Sequence, residues 1–264
     1  MNALDELLRA EGATLALEMV RITGMVVAAP LAWAPAPMRV RGGLVVLLAL
    51  AAHGASPPAA AQQLGLDAMC FAAGSEFVLG LGIGFVVRLV IATAEIAAEL
   101  IAPMMGIGIA QIFDPQTRNM QNVLDTILRN FATLLALIAG LHRIAVSAVL
   151  QSFRIVPVGS LTNPALAVPS IVAMTADALA SGVRIAIPLI AVLFTVHVAL
   201  AFIARAAPAM QIFSVGFAVT LAAGGLVLIL VLPDLGYGFL SEVSRAGYKI
   251  EELVSVAQGT LSHG

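Results

Sequence analysis

The sequence predicts an all-α integral membrane protein, and three observations carry that prediction. Hydrophobic residues fill 61% of the 264 positions and charged ones only 11%, with a mean hydropathy of +1.03. A soluble domain sits near ~45–50% apolar and ~25% charged. The apolar residues also run in long unbroken stretches, not in the ~10-residue alternating segments of a membrane β-barrel. Lastly, these stretches are separated by proline-bearing breaks, where a lost backbone donor and a restricted preceding residue favour helix ends.

In chain order the apolar segments fall near 13–34, 42–60, 68–102, 123–150, 168–204 and 212–240, giving about six long, often kinked helical regions. Each is near or beyond the ~20 residues that span a bilayer. The breaks lie at Pro35/Pro37 with Arg39/Arg41, at His53 to Pro58, over 103–122, from Pro157 to Pro169, and at Arg205-Ala-Ala-Pro208. Residues 241–264 carry Glu242, Arg245, Lys249, Glu251 and Glu252 and read as a polar C-terminal tail or short exposed helix. Residues 1–264 are expected to form a single helical domain. Arg39 and Arg41 in the first loop, against no Lys or Arg in 53–67, place that first loop in the cytoplasm by the positive-inside rule.

Several functional classes fall away. A net charge of −2 leaves no nucleic-acid footprint. Cys70, the only cysteine, can form no internal disulfide and reads as a buried, inert thiol. Met1–Gly12 carries Asp5, Glu6, Arg9 and Glu11 where a signal peptide needs a basic start. His53, His142, His197 and His263 are scattered without metal-ligand spacing, and no GxSxG, Walker A or kinase signature occurs. The expectation is a non-enzyme without a cofactor or metal.

Charges inside the apolar segments are the first functional signal. Glu18, Arg21, Glu76, Arg88, Glu95, Glu99, Arg129, Asp177 and Arg184 all lie there. Each costs ~2.5–3.5 kcal/mol at the middle of a span, while an apolar residue returns only ~0.3–0.6 kcal/mol. Segment 68–102, with four charges, is therefore marginal as a lone span in lipid. Arg88, Glu95 and Glu99 fall within about 40° of one another on a helix. They read as a polar seam facing other helices or a water-filled path, the bland alternative being snorkelling from segment ends. Glu18 and Arg21 form an i,i+3 pair, and Asp177 and Arg184 share a face. Gly80 and Gly84, in GxxxG relation, permit close helix contact.

The second signal is the stretch from Glu95 to Leu128, which stays apolar where a connection should turn polar. After Pro103 come Met104-Met105-Gly106-Ile107-Gly108-Ile109-Ala110, soft thioethers beside a loosened backbone. Two readings stay open on the residues alone. One is a greasy constriction that blocks a pore by dewetting. The other is a plain inter-helix loop whose methionines fill the core.

Four places in the chain carry a family likeness: Pro37-Met-Arg39-Val-Arg41; Glu76 to Arg88 with its Gly-Leu-Gly-Ile-Gly-Phe core; Glu99-Leu-Ile-Ala-Pro-Met-Met-Gly106 running into Phe113-Asp114-Pro115; and Arg205-Ala-Ala-Pro208-Ala-Met-Gln-Ile-Phe213-Ser-Val-Gly216-Phe217. On these the chain resembles the FliR/SctT family of the flagellar and virulence type III secretion export apparatus, with the flagellar branch closer. Pro103 before the methionines and Ala218 after Gly-Phe depart from the family pattern.

The resemblance implies a subunit of the export gate in the bacterial inner membrane, within the flagellar basal body. It implies assembly with FliP-type and FliQ-type subunits and the FlhB-type switch protein around a channel for unfolded exported proteins. The family's plug maps onto Met104, Met105, Gly106, Ile107, Gly108, Ile109, Ala110, Gln111, Ile112, Phe113 and Asp114. Glu76, Arg88, Glu95, Glu99 and Arg205 become polar contacts between helices or subunits, and Gly80, Gly84 and Gly216 helix-packing positions. The competing reading is an ion-coupled secondary transporter with Glu95, Glu99 and Asp177 as ion sites, though no internal repeat of the kind such proteins use is visible.

Overall fold

The computed structural model describes residues 2–29, 31, 33, 36–54, 65–105, 123–160, 164–206 and 212–259. Among them the chain forms α1 (Asn2–Ala28), α2 (Met38–His53), α3 (Leu66–Met104), α4 (Val123–Ile138), α5 (Leu141–Ile155), α6 (Val168–Ala206) and α7 (Ile212–Gln258). A 3-10 turn at Pro164–Ala167 leads into α6, and no strand occurs among the described residues. The fold class is all-α.

Helix ends follow glycine more than proline. The expected single region over 123–150 breaks at Gly140, whose φ of 82° is left-handed and open to glycine at little cost. Its amide bonds Leu137 O at 3.1 Å while its carbonyl accepts from Arg143 and Ile144. Pro103, expected to end or kink α3, lies in its last turn, one residue before the helix ends at Met104, and the Met105 amide still reaches Ile101 O at 3.2 Å. Pro188 in α6 and Pro233 in α7 also sit mid-helix. Each deletes one i→i−4 bond, a loss that 39- and 47-residue helices absorb.

Among the described residues, three helical stretches are long and apolar enough to cross a membrane (67–104, 165–206 and 218–258), or up to four if α4 and α5 count as one broken span. The 16 residues of α2 are too few for a bilayer. Within its 27 residues α1 carries Asp5, Glu6, Arg9, Glu11, Glu18 and Arg21.

The polar tail expected at 241–264 is also corrected. Residues 241–258 are the last turns of α7, and Val243, Ala246, Ile250, Leu253 and Val254 are all at most 1% exposed. Their i, i+3, i+4, i+7 spacing is a buried helical stripe. Arg245 and Glu251 stand on the exposed face and gave the segment its polar look.

Two compact units make up the chain. The first takes Met1–Leu89, Leu137–Thr175 and Val243–Gly264, and the second Val90–Ala136 and Ala176–Glu242. In the first, Leu17, Ile22 and Met25 of α1, Ile83 of α3, Leu141 and Phe153 of α5 and Ile250 of α7 are fully buried. In the second, Ala97, Ala98, Ile101, Ala102 and Met105 of α3 pack with Leu128 of α4 and Ala186, Leu189 and Leu193 of α6.

Contact between α1 and α3 is set by small residues. A Cβ on Gly80 would run into Arg21 O, and one on Gly84 would meet Met25 O at 2.6 Å. From the other side, a Cβ on Gly24 would meet Phe77 O at 2.5 Å. Gly216 differs: a Cβ there touches only Leu200, at 4.0 Å, so no close helix approach is visible among the described residues.

Two alanine substitutions on the same helix test this packing. Gly80→Ala forces α1 and α3 apart and should lower stability by about 1–3 kcal/mol or more. Gly74→Ala, where nothing lies within 4 Å of the new Cβ, should raise it by roughly 0.5–1 kcal/mol through helix propensity. Thermal midpoints of the detergent-solubilised protein read both, and equal effects would refute the tight contact at Gly80.

Candidate functional site

The most demanding chemistry in the chain is a buried polar network in the first unit. Arg21 of α1 and Glu76 of α3 are both 0% exposed, and Arg21 Nε donates to Glu76 Oε2. Arg21 is one turn from Gly24 and faces α3 across the glycine contact, which brings the two backbones close enough for the side chains to meet. Arg21 Nη1 donates to Ser152 Oγ of α5 at 3.1 Å, and Nη2 to Val156 O at 3.0 Å. The guanidinium lies 4.3 Å from the centre of the Phe153 ring, a cation–π geometry.

Glu76 is satisfied on its second oxygen by the backbone. The Gly159 amide donates to Glu76 Oε1 at 2.9 Å. Gly159 has a φ of 76°, a left-handed turn open to glycine, and this turn aims the N–H at the carboxylate. One turn before Arg21, Glu18 is also 0% exposed and lies 3.2 Å from Nδ1 of His53, which is 36% exposed at the end of α2.

Taking two charges from water costs several kcal/mol per ion, repaid only when the remaining donors and acceptors are also bonded. Here Arg21 spends its donors on three separate partners, and Glu76 uses both oxygens. The network ties α1, α3, α5 and the 156–159 turn to one another. Its bonds run between helices and a turn, so what it does is hold those elements in register.

Other sequence-predicted residues are distributed differently. Glu95 of α3 pairs with Arg129 of α4 at 3.0 Å, with side chains 24% and 41% exposed. Arg88 and Glu99, expected beside Glu95 in one seam, are exposed, as is Arg205 at the end of α6. Asp177 and Arg184 are exposed as well, while Ser181 between them bonds the buried Glu242 of α7 at 3.0 Å. Cys70 is exposed, not buried, because it lies on the outer face of α3.

Of the plug positions, Met104 and Met105 fall within the described residues, and Gly106 to Asp114 lie outside them. Met105 is 3% exposed and belongs to the packed core of the second unit, with Met104 packed against that core. A Cβ on Gly224 of α7 would sit 2.7 Å from Met105 Cγ, so the thioether occupies the space that glycine leaves. Met105 is therefore core in this chain, in line with the reading in which the methionines fill the core.

The i,i+3 reading of Glu18 and Arg21 missed their partners. Arg21 bonds a residue 55 positions away and Glu18 one 35 positions away. The signal available in the sequence was Gly24 beside Arg21 and Gly80 beside Glu76: small residues next to an unexplained charge on two helices.

A family model for bacterial export proteins, family 1, matches residues 13–246, a range that holds Glu18, Arg21, Glu76, Ser152 and Gly159. The chain is 27% identical over 216 residues to the flagellar biosynthetic protein FliR of Escherichia coli K12, covering 81% of this chain and 82% of that one. It is 32% identical over 160 residues to FliR of Pectobacterium carotovorum, 60% of each chain. To FliR of Aquifex aeolicus it is 30% identical over 159 residues, 60% of this chain and 61% of the relative. The chain thus spans less than two thirds of the length of the latter two.

Breaking one side of the buried pair leaves an uncompensated charge. Arg21→Met alone, or Glu76→Leu alone, should cost about 3–5 kcal/mol of stability, whereas the double variant should recover most of it. Denaturant unfolding of the purified protein in detergent checks this, and additive losses in the double variant would contradict a direct pair.

Proposed function

Because this chain belongs to the bacterial export proteins, family 1, we propose that it is a membrane subunit of a flagellar protein-export gate in the bacterial inner membrane. The observation that carries the reading is the family match over 13–246, which takes in most of α1, all of α2 to α6 and most of α7. In this reading the chain stands in the basal body with FliP-type and FliQ-type subunits and the FlhB-type switch protein. Unfolded proteins pass through the channel they share, and the driving energy comes from a partner or an ion gradient.

Two physical features support a gate subunit. The polar network that fixes the first unit is satisfied inside the chain, so it is a frame and not a conduit. Arg88, Glu99, Asp177, Arg184 and Arg205 are instead left on outer faces of long apolar helices, where neighbouring subunits reach them. In this reading Met104 and Met105, the first two residues of the plug stretch Met104 to Asp114, anchor it in and against the core of the second unit. An ion-coupled transporter is less well supported. Glu95 is already paired with Arg129, and Glu99 and Asp177 are exposed on different helices.

Deleting Gly106–Gln111 in cells with the assembled complex should raise the ion conductance of the membrane. An unchanged conductance with the complex intact would reject the plug while leaving the family membership in place.

A further inference from the structure

Helix α2 is tied down at both ends, by two cationic side chains of different kinds. Between the ties its buried contact is slight: Val45, Ala49 and Ala52 along one stripe. At the first end, Arg41 Nε donates to Trp33 O and to Ala36 O, at 3.1 Å each. Trp33 is in turn held to α1, its indole N–H donating to Val26 O at 3.1 Å. At the other end, His53 Nδ1 lies 3.2 Å from Glu18 Oε2. An arginine keeps its charge at any physiological pH, whereas histidine is the side chain that changes charge between about pH 5 and 8.

The histidine end is built so that its proton counts. The Glu18 side chain is 0% exposed and that of His53 is 36% exposed, so protons reach the imidazole from solvent while the carboxylate behind it stays unscreened. The other charged groups on neighbouring elements are committed elsewhere or turned away. Arg21, one turn along α1, is bonded to Glu76 of α3, Ser152 of α5 and Val156 O. Glu11, two turns before Glu18, is exposed, as are Arg143 and Arg154 of α5. On α2 the nearest other charge is Arg41, about 18 Å along the axis from His53 at ~1.5 Å per residue. With His53 protonated, Glu18 accepts a charge-assisted bond, and the cation also sits well beside the last carbonyls of α2. Without that proton, both gains go.

We infer that the Glu18–His53 contact is a proton-controlled latch on the end of α2. It is closed while His53 carries its proton and loosened when the proton leaves, with the Arg41 end fixed throughout. The sign follows from linkage. A contact that prefers the protonated imidazole adds stability on the acid side, and that stability is lost as pH rises through the histidine range. The latch is a property of the α1–α2 pair and operates whether or not the chain serves an export gate.

Amide hydrogen exchange of the detergent-solubilised chain at pH 6 and pH 8, expressed as protection relative to the unfolded chain, tests the latch. In the unmodified protein, amides 49–53 should be roughly fivefold less protected at pH 8 than at pH 6, while amides 42–46 near Arg41 hold. His53→Gln, which keeps an N–H donor without the charge, should show the lower protection at both pH values. His53→Arg should show the higher protection at both. His142 and His197 are present in every variant, so a pH effect arising from them persists in all three proteins. Such persistence, no pH effect in the unmodified chain, or a change spread evenly along α2 would each overturn the latch.

Discussion

The ion pair between Arg21 and Glu76 is the constraint on which the first unit depends. Both groups are wholly withdrawn from solvent, so each must find every partner inside the protein. That requirement fixes the spacing of α1 and α3, which glycines at 24, 80 and 84 allow to close. It also fixes the start of the turn after α5, because Val156 O and the Gly159 amide complete the two coordination shells. An apolar core alone leaves helices free to slide and rotate. A charge with three directional partners does not, which is why a chain with so few charges places two of them at its centre.

The second unit is held in a different way. Its core is alanine, leucine, isoleucine and methionine from α3, α4 and α6, with Gly224 of α7 making space for Met105. Its charges are mostly outward, apart from Glu242 with Ser181 and the half-exposed Glu95–Arg129 pair. This contrast has a functional sense. The first unit turns its strongest ion pair inward, and in the export-gate reading the outward charges of the second unit meet neighbouring subunits.

Helix length points the same way. At ~1.5 Å per residue, the 39 residues of α3 and of α6 extend about 58 Å and the 47 of α7 about 70 Å. A hydrocarbon core is only ~30 Å thick. Apolar helices twice that length have stretches that lipid does not cover, and the surplus must pack on protein. The export-gate reading supplies that protein, and the family membership makes it a specific expectation about neighbouring subunits.

What the sequence by itself determined was the helical membrane class, the positions of α2, α3, α6 and the start of α7, and the family likeness later matched over 13–246. These are local or statistical properties: run length, composition and motif order survive without knowledge of contacts. The break at Gly140 escaped notice because a single glycine in an apolar run costs little to tolerate, and only its left-handed φ shows that it is used. The buried stripe at Val243 to Val254 was hidden by charges on the opposite face of the same helix. Partner choice was decided by tertiary structure alone. Arg21 could have bonded Glu18 three residues away, yet it bonds Glu76, whose second oxygen also accepts from the Gly159 amide, while Glu18 Oε2 lies beside His53. Tertiary structure also decided between the two readings of Met105: the space it fills exists only once Gly224 from a distant helix is packed beside it.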